Sequence, residues 1–195
     1  MNGRQELKKR ISDEELISRF QSGDEVAFDL IVKRYKNRLL NFVYRFLGQK
    51  DEAEDVVQDT FLKVYKNRDA YRNIAKFSTW IYTIAGNLAK TELRKRKRRK
   101  ILSLTNLGIE DKDYEIPSKA HSPEDKAEGV FKEEIIQAAI ESLPEKFRTV
   151  IILRDIQELS YYEISNIVNI PLGTVKSRVN RGRLKLQEKL KFIRR

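Results

Sequence analysis

"LSYYEISNIVNIPLGTVKSRVNRGRLKLQEKL", residues 159–190, contains two helices and the break between them. Ser160 and Glu163 stand at capping-box spacing, where each side chain satisfies a backbone N–H that the helix start leaves open. Tyr162, Ile164, Ile167 and Val168 then recur at helical intervals and supply an inner face. "NIP" at 169–171 ends that helix, because a proline pushes the residue before it out of helical geometry. A second helix follows, with Leu172, Val175 and Val179 pointing inward and Thr174, Ser177, Arg178 and Arg181 on the opposite face. Hydroxyl and guanidinium groups on an outward helix face suit base edges and phosphates in a major groove. The stretch therefore reads as a helix-turn-helix, and Arg183, Lys185, Lys189, Lys191, Arg194 and Arg195 prolong its basic character. The alternative is a helical hairpin with a solvated basic face.

Upstream the same period continues, and no stretch alternates convincingly as a strand, so the fold class is all-α. Ser12 and Glu15 open a first short helix that ends near "QSGD". Asp24 caps a long second helix with the stripe Phe28, Ile31, Val32, Tyr35, Leu39, Phe42, Val43 and Phe46, closed by Gly48. Asp51 is placed to cap a third, with Ala53, Val56, Val57, Phe61, Val64 and Tyr65 on its apolar side. "FSTWIYTIAGNLAKTELRKRKRRK", 77–100, is a fourth helix, buried along Phe77, Ile81, Ile84, Ala85 and Leu88 and unbrokenly basic from Arg94 to Lys100. Four such helices over 12–98 can close one small bundle. Residues 103–128 then carry two prolines and more acids than lysines, as expected of an extended, flexible acidic linker. Helical spacing resumes at Phe131. The expected organisation is two small helical domains, 12–98 and 129–193, joined by a linker over 99–128.

The chain has 195 residues, 40% apolar and 35% charged, so it can bury a core under a strongly charged surface. Its net charge of +11 favours phosphate polymers or anionic membranes as partners. Without cysteine it has no disulfide and no thiolate metal site. Its single histidine, His121, lies in a polar stretch and makes a histidine-based metal or acid/base site a poor reading. No apolar run approaches the roughly 20 residues that span a bilayer, and "MNGRQELKKR" lacks the apolar core of a signal peptide. A soluble, intracellular protein is expected.

Two helix faces carry chemistry. On a wheel of about 100° per residue, Thr83, Asn87, Lys90 and Arg94 form a stripe away from the apolar side, with Trp80 between the two. Aromatics that stack on unpaired bases, beside cations that hold the backbone, are the means of single-strand capture. Opposite the third helix's apolar stripe lie Asp51, Asp55, Gln58, Asp59 and Leu62. An outward leucine ringed by acids suits a protein interface; the same acids read alternatively as a solvated face, or as a Mg²⁺ site of a nuclease.

In order and spacing, "DEAEDVVQDTFLKVY" (51–65), "FSTWIYTIAGNLAKTELRKRKR" (77–98), "LPEKFRTVIILRDIQELSYYEIS" (143–165) and "IPLGTVKSRVNRGRLKL" (170–186) resemble the extracytoplasmic-function (ECF) group of bacterial RNA polymerase sigma factors. The resemblance implies a promoter-specificity subunit without catalytic activity, cofactor or metal. It implies docking on the largest-subunit clamp through Asp51, Glu52, Asp55, Gln58, Asp59 and Leu62, a further contact with the polymerase flap, and promoter DNA as the second partner. The loop at 70–76 and the helix after it would melt and read the −10 element, with Asn87 at a base-contacting position and Trp80, Thr83, Lys90 and Arg94 around it. The helix-turn-helix would read the −35 element, where Lys176, Ser177, Asn180 and Arg181 take contacting positions beside Thr174 and Arg178. Gly182 stands where many relatives have alanine, and glycine weakens a helix by up to about 1 kcal/mol, so a less rigid helix end is expected. Also implied are a cytoplasmic location, an anti-sigma partner that in many members sits at the inner membrane face, and no membrane insertion.

The linker acids Glu110, Asp111, Asp113 and Glu115 are expected to mimic RNA inside the polymerase and, in the free protein, to cover its basic surfaces. Two other classes remain beside this reading: a nuclease or recombinase using Asp51, Asp55 and Asp59, and a dimeric helix-turn-helix repressor.

Overall fold

Each helix boundary traces to a local cause in the chain. The computed structural model describes residues 11–106 and 127–191, with side chains omitted for 104–106 and 127–131. The Ser12 hydroxyl accepts the Glu15 amide at 3.1 Å and opens α1 (Asp13–Gln21). Asp24 accepts the Ala27 amide at 3.2 Å and opens α2 (Glu25–Leu47). Gly48 closes α2 in the left-handed region at φ 77°, and a Cβ there would collide with the Glu141 carboxylate. The backbone angle is what favours glycine, since the Glu141 carboxylate is the end of a flexible side chain and can move aside. The next helix, α3 (Lys50–Lys66), starts earlier than expected, because Gln49 is its cap and its carbonyl takes the Ala53 amide at 3.1 Å. Asp51 lies inside the first turn, where its charge favours the positive end of the helix. After a 3₁₀ turn at Arg68–Ala70 and a loop, α4 (Phe77–Asn106) runs on beyond the basic block.

Leu16, Ile17, Phe20, Ile31, Leu39, Phe42, Phe46, Phe77, Ile81 and Ala85 are buried together where α1–α4 meet. Tyr35 and Tyr71 pack edge-on against the Phe77 ring, with centroids 5.5 and 5.7 Å away. Those geometries add to plain area burial and seat the start of α4.

The second unit comprises α5 (Ala127–Glu141), α6 (Glu145–Ile151), a π-type turn at Ile152–Ile156, α7 (Tyr161–Val168) and α8 (Leu172–Lys189). The Ser160–Glu163 capping box forms in full. Asn169 ends α7 in the left-handed region at φ 51°, and Pro171 caps α8. Ile164, Ile167, Val175 and Val179 are buried as their spacing requires, but Tyr162 is 70% exposed and Leu172 is 40% exposed. Leu172 sits at the very start of its helix, whereas Tyr162 lies about 140–200° around the wheel from Ile167 and Ile164, and the half-buried Tyr161 takes the inner place instead. Gly182 has a packing role beside its low helix propensity: a Cβ there would lie 2.7 Å from Ile151 Cγ1, so glycine permits the close approach of α8 to α6.

The two units meet along a polar seam set into continuous apolar packing. Tyr82 of α4 donates its hydroxyl to Gln157 Oε1 at 2.6 Å, and Gln157 Nε2 donates to Asn41 Oδ1 of α2 at 3.1 Å. Burial pushes the Tyr82 hydroxyl up to about 12, so it remains a donor at neutral pH. A buried hydrogen bond of this kind nets about 0.5–1.5 kcal/mol, and an orphaned partner costs more. Arg148 of α6 is buried; it donates to Phe46 O at 2.8 Å, to Leu143 O at 3.2 Å and to Glu141 O, with Phe46 under its guanidinium. Arg45 pairs across the seam with Glu133 and donates to Gln137 Oε1 at 3.1 Å. Lys76, before α4, pairs with Glu163 of α7 at 2.9 Å. Burial raises the Glu163 pKa, but hydrogen bonds from Ser160 and Lys76 outweigh it and hold the carboxyl below its ordinary value; the same bond raises Lys76. The acidic residues Glu110, Asp111, Asp113 and Glu115 lie outside the described residues.

Candidate nucleic-acid and protein-binding surfaces

Three surfaces stand apart. On α8, alternate faces of an amphipathic helix do different work. Val175, Val179 and Gly182 face the unit's interior, which leaves Lys176, Ser177, Asn180 and Arg181 exposed and Thr174 and Arg178 half-buried. Ser177 donates its hydroxyl to Thr174 O at 3.0 Å, and among the described residues no ion pair holds Lys176 or Arg181. Arg183 is different: it forms a two-pronged pair with Asp155 that fixes α8 to the π-type turn. Apart from the Ser177 hydroxyl, the outward row offers polar and cationic side chains in a spacing suited to a groove.

On α4, Phe77, Ile81, Tyr82, Ala85 and Ala89 are buried, while Asn87 and Arg94 are exposed. Trp80 is half-buried and tilted against the rings of Tyr71 and Phe77, at 5.4 and 5.9 Å. Thr83 donates to Thr79 O at 2.7 Å, and Arg94 Nε donates to Lys90 O at 3.3 Å. The expected stripe is therefore assembled, with its aromatic braced. Lys90 lies at the stripe's edge, in a cleft shared with Glu145, Lys146, Val168 and Arg178. The basic block beyond it divides in two. Arg96 donates to Leu47 O at 2.9 Å, and Lys95 and Arg99 pair with Glu92, so those cations serve the fold. Arg94, Lys97 and Arg98 face solvent. The loop before α4 adds Ile74, 88% exposed, which periodicity does not find because the loop has none.

On α3, Asp51, Asp55, Gln58 and Asp59 are exposed around Leu62, itself 47% exposed. Glu52 is set differently: its carboxylate accepts from Arg96 at 3.4 Å and is half-buried. Val26 and Tyr65 enlarge the apolar part of the neighbouring surface, with the Tyr65 hydroxyl donated to Glu25 Oε1 at 3.2 Å. Among the described residues no group of three or more acids or histidines is placed to hold a metal ion, so this geometry lends the nuclease reading no support. Nor is any described helix long and apolar enough to cross a membrane.

Residues 31–99 match the family described as Sigma-70 region 2, and residues 133–186 match Sigma-70, region 4. The chain is 41% identical to the ECF RNA polymerase sigma factor SigW of Bacillus subtilis, over 96% of this chain and 98% of that protein. It is 37% identical to the ECF RNA polymerase sigma-E factor of Escherichia coli, over 97% of this chain and all of that protein. Among solved structures, the sigma factor RpoE from Bartonella quintana, in complex with the anti-sigma factor NepR, superposes with a TM-score of 0.65 at 28% identity, covering 84% of this chain and 96% of that one.

Proposed function

This chain belongs to the ECF RNA polymerase sigma factors, which direct promoter-specific initiation of transcription, and from that premise we propose a division of labour among its three surfaces. The α8 row of Thr174, Lys176, Ser177, Arg178, Asn180 and Arg181 reads the −35 duplex. The α4 stripe of Trp80, Thr83, Asn87, Lys90 and Arg94 receives the melted −10 strand. The α3 face of Asp51, Asp55, Gln58, Asp59 and Leu62 docks on the clamp of the polymerase's largest subunit, and Glu52 supports it through Arg96 rather than by contact. The second unit also meets the polymerase flap. Residues 12–98 form the first functional domain, 129–193 the second, and 99–128 the connection. The protein acts in the cytoplasm, with no catalytic step assigned to any residue and an anti-sigma protein as a further partner. The RpoE–NepR complex supports that last point by analogy.

One observation carries this reading: the two family segments fall on the two helical units, and each unit presents the face its role needs. Stacking on a braced Trp80 suits unpaired bases, whereas the α8 row stands clear for a groove. The test is run-off transcription of genomic DNA by purified core polymerase with and without the chain. New transcripts starting downstream of a shared pair of sequence elements are expected. Cleavage of DNA by the chain alone, or tight operator binding without any effect on polymerase, would overturn it.

A further inference from the structure

The loop that leads into α4 is exposed from Arg72 to Lys76, yet one helix holds it at both ends. At its start, Gln21 Nε2 of α1 donates to Arg68 O at 2.8 Å and to Tyr71 O at 3.0 Å. At its end, the Phe77 amide donates to Glu14 Oε1 of α1 at 3.1 Å. Between these fastenings the buried Tyr71 turns back and donates its hydroxyl to Ala75 O at 2.8 Å. Glu14 and Gln21 are seven residues apart, so they lie on one face of α1, about two turns or roughly 10 Å from each other.

Each fastening answers a need of the backbone. A helix start leaves amide hydrogens open, and the residue before Phe77 is Lys76, whose ammonium has no acceptor to offer. Helix α4 therefore takes its cap from α1, and the Glu14 carboxylate also faces the positive end of the α4 dipole. Gln21 gives its amide hydrogens to the two carbonyls that flank the 3₁₀ turn's exit. Helix α1 is fixed in turn: Leu16, Ile17 and Phe20 are buried, and Asp13 accepts from the Tyr35 hydroxyl and from Arg34 Nη1, each at 2.6 Å. A rigid bar thus lies under an arch. The arch presents Arg72, Asn73 and Ile74 beside Trp80, whose ring packs against that of Tyr71. The segment matching Sigma-70 region 2 begins at residue 31, so the bar lies ahead of it.

We propose that α1 is a positioning element for −10 selectivity: Glu14 and Gln21 hold the 72–76 arch in the one conformation that meets the melted strand, without entering the contact themselves. The proposal rests on the assignment of that strand to α4 and the loop before it. An arch fixed beforehand loses little conformational freedom on binding, and it offers every incoming base the same surface. A freed arch adapts to several bases, so discrimination falls.

The test compares Glu14→Ala, Gln21→Leu and Glu14→Gln in the full chain assembled with core polymerase. Alanine and leucine both suit a helix, so each of the first two removes one fastening and spares α1. The amide oxygen introduced by Glu14→Gln still accepts from Phe77. Holoenzyme affinity is measured on the promoter identified by run-off transcription, its −10 region opened by mismatches, with single-base changes in the −10 or the −35 element. Glu14→Ala and Gln21→Leu should each lower the preference at one or more −10 positions by at least about threefold, with −35 preferences unchanged. Glu14→Gln should keep the parent's preferences. Hydrogen exchange of the 72–77 amides should quicken in the first two variants, while α2 and α3 stay as protected as in the parent. Unchanged −10 preferences in both would overturn the proposal, and so would Glu14→Gln behaving as Glu14→Ala does. An equal decline of −10 and −35 preferences, or protection lost throughout α1–α4, marks a general loss of fold and would overturn it too. Asn87→Ala on the same probes is the reference: no change at any −10 position there would remove the −10 assignment itself, and the proposal with it.

Discussion

The α8 row and the α4 stripe are both exposed polar faces of amphipathic helices, yet they are built in opposite ways. On α8, Lys176, Asn180 and Arg181 reach outward from a helix held by Val175, Val179 and the tight Gly182 contact with Ile151. On α4, Trp80 leans on Tyr71 and Phe77, and Thr83 is tied to the turn below it. A duplex keeps its bases stacked, so side chains must extend into its groove. A melted strand brings its bases to the protein, and a braced shelf receives them without ordering loose side chains at the moment of binding. Under the proposed assignment, the contrast lets one all-α chain meet two states of the same polymer.

Substitutions can break or sharpen that contrast. The largest effect is expected from Arg181→Ala, which should weaken −35 duplex binding by about 1–3 kcal/mol if the guanidinium reads a base edge. Loss on every sequence alike, with a reduced salt slope, would make Arg181 a phosphate contact instead. Gly182→Ala should come next. The added Cβ meets Ile151 inside a close helix pair, and overpacking of this kind costs about 1–3 kcal/mol. A Tm lowered by several degrees in differential scanning calorimetry is the expected reading, and an unchanged or raised Tm would mean that Ile151 yields freely. Leu62→Arg should reduce core-polymerase affinity by about tenfold while −35 duplex binding is unchanged, because the exposed α3 face lies outside α8. Normal assembly would remove the docking role of that face. The smallest effect is expected from Asn87→Ala: about a threefold loss of preference at one −10 position, seen by comparing single-base variants of a melted −10 oligonucleotide.

Much of this architecture is legible in the residues. The Ser12, Asp24 and Ser160 caps, the left-handed Gly48 and the Ile170–Pro171 break each act within four or five residues, and each appears where the chain places it. The α4 stripe is legible too, because helical geometry alone sets its angle. The seam is different. Gln157 and Arg148 are polar residues on short helical stretches, and local periodicity assigns such residues to solvent; only the presence of a second unit buries them. Glu52 shares its helix with the exposed acids, yet a partner 44 positions away, Arg96, draws it aside. Leu172 has the right spacing for the core but begins its helix, and Tyr162 points away from Ile164 and Ile167 while its neighbour Tyr161 packs inward. Windowed sequence patterns report which face a residue occupies, and say little of what approaches that face.

Footprinting of the assembled holoenzyme on one promoter, with −35 protection and −10 strand opening recorded on the same complexes, tests the division of labour most directly. With Arg181→Ala, −35 protection should fall first, and complexes that still form should open the −10 region normally. With Asn87→Ala, −35 protection should persist while opening at the −10 region declines. Equal loss of both signals in both variants would contradict the assignment of the duplex to α8 and of the melted strand to α4.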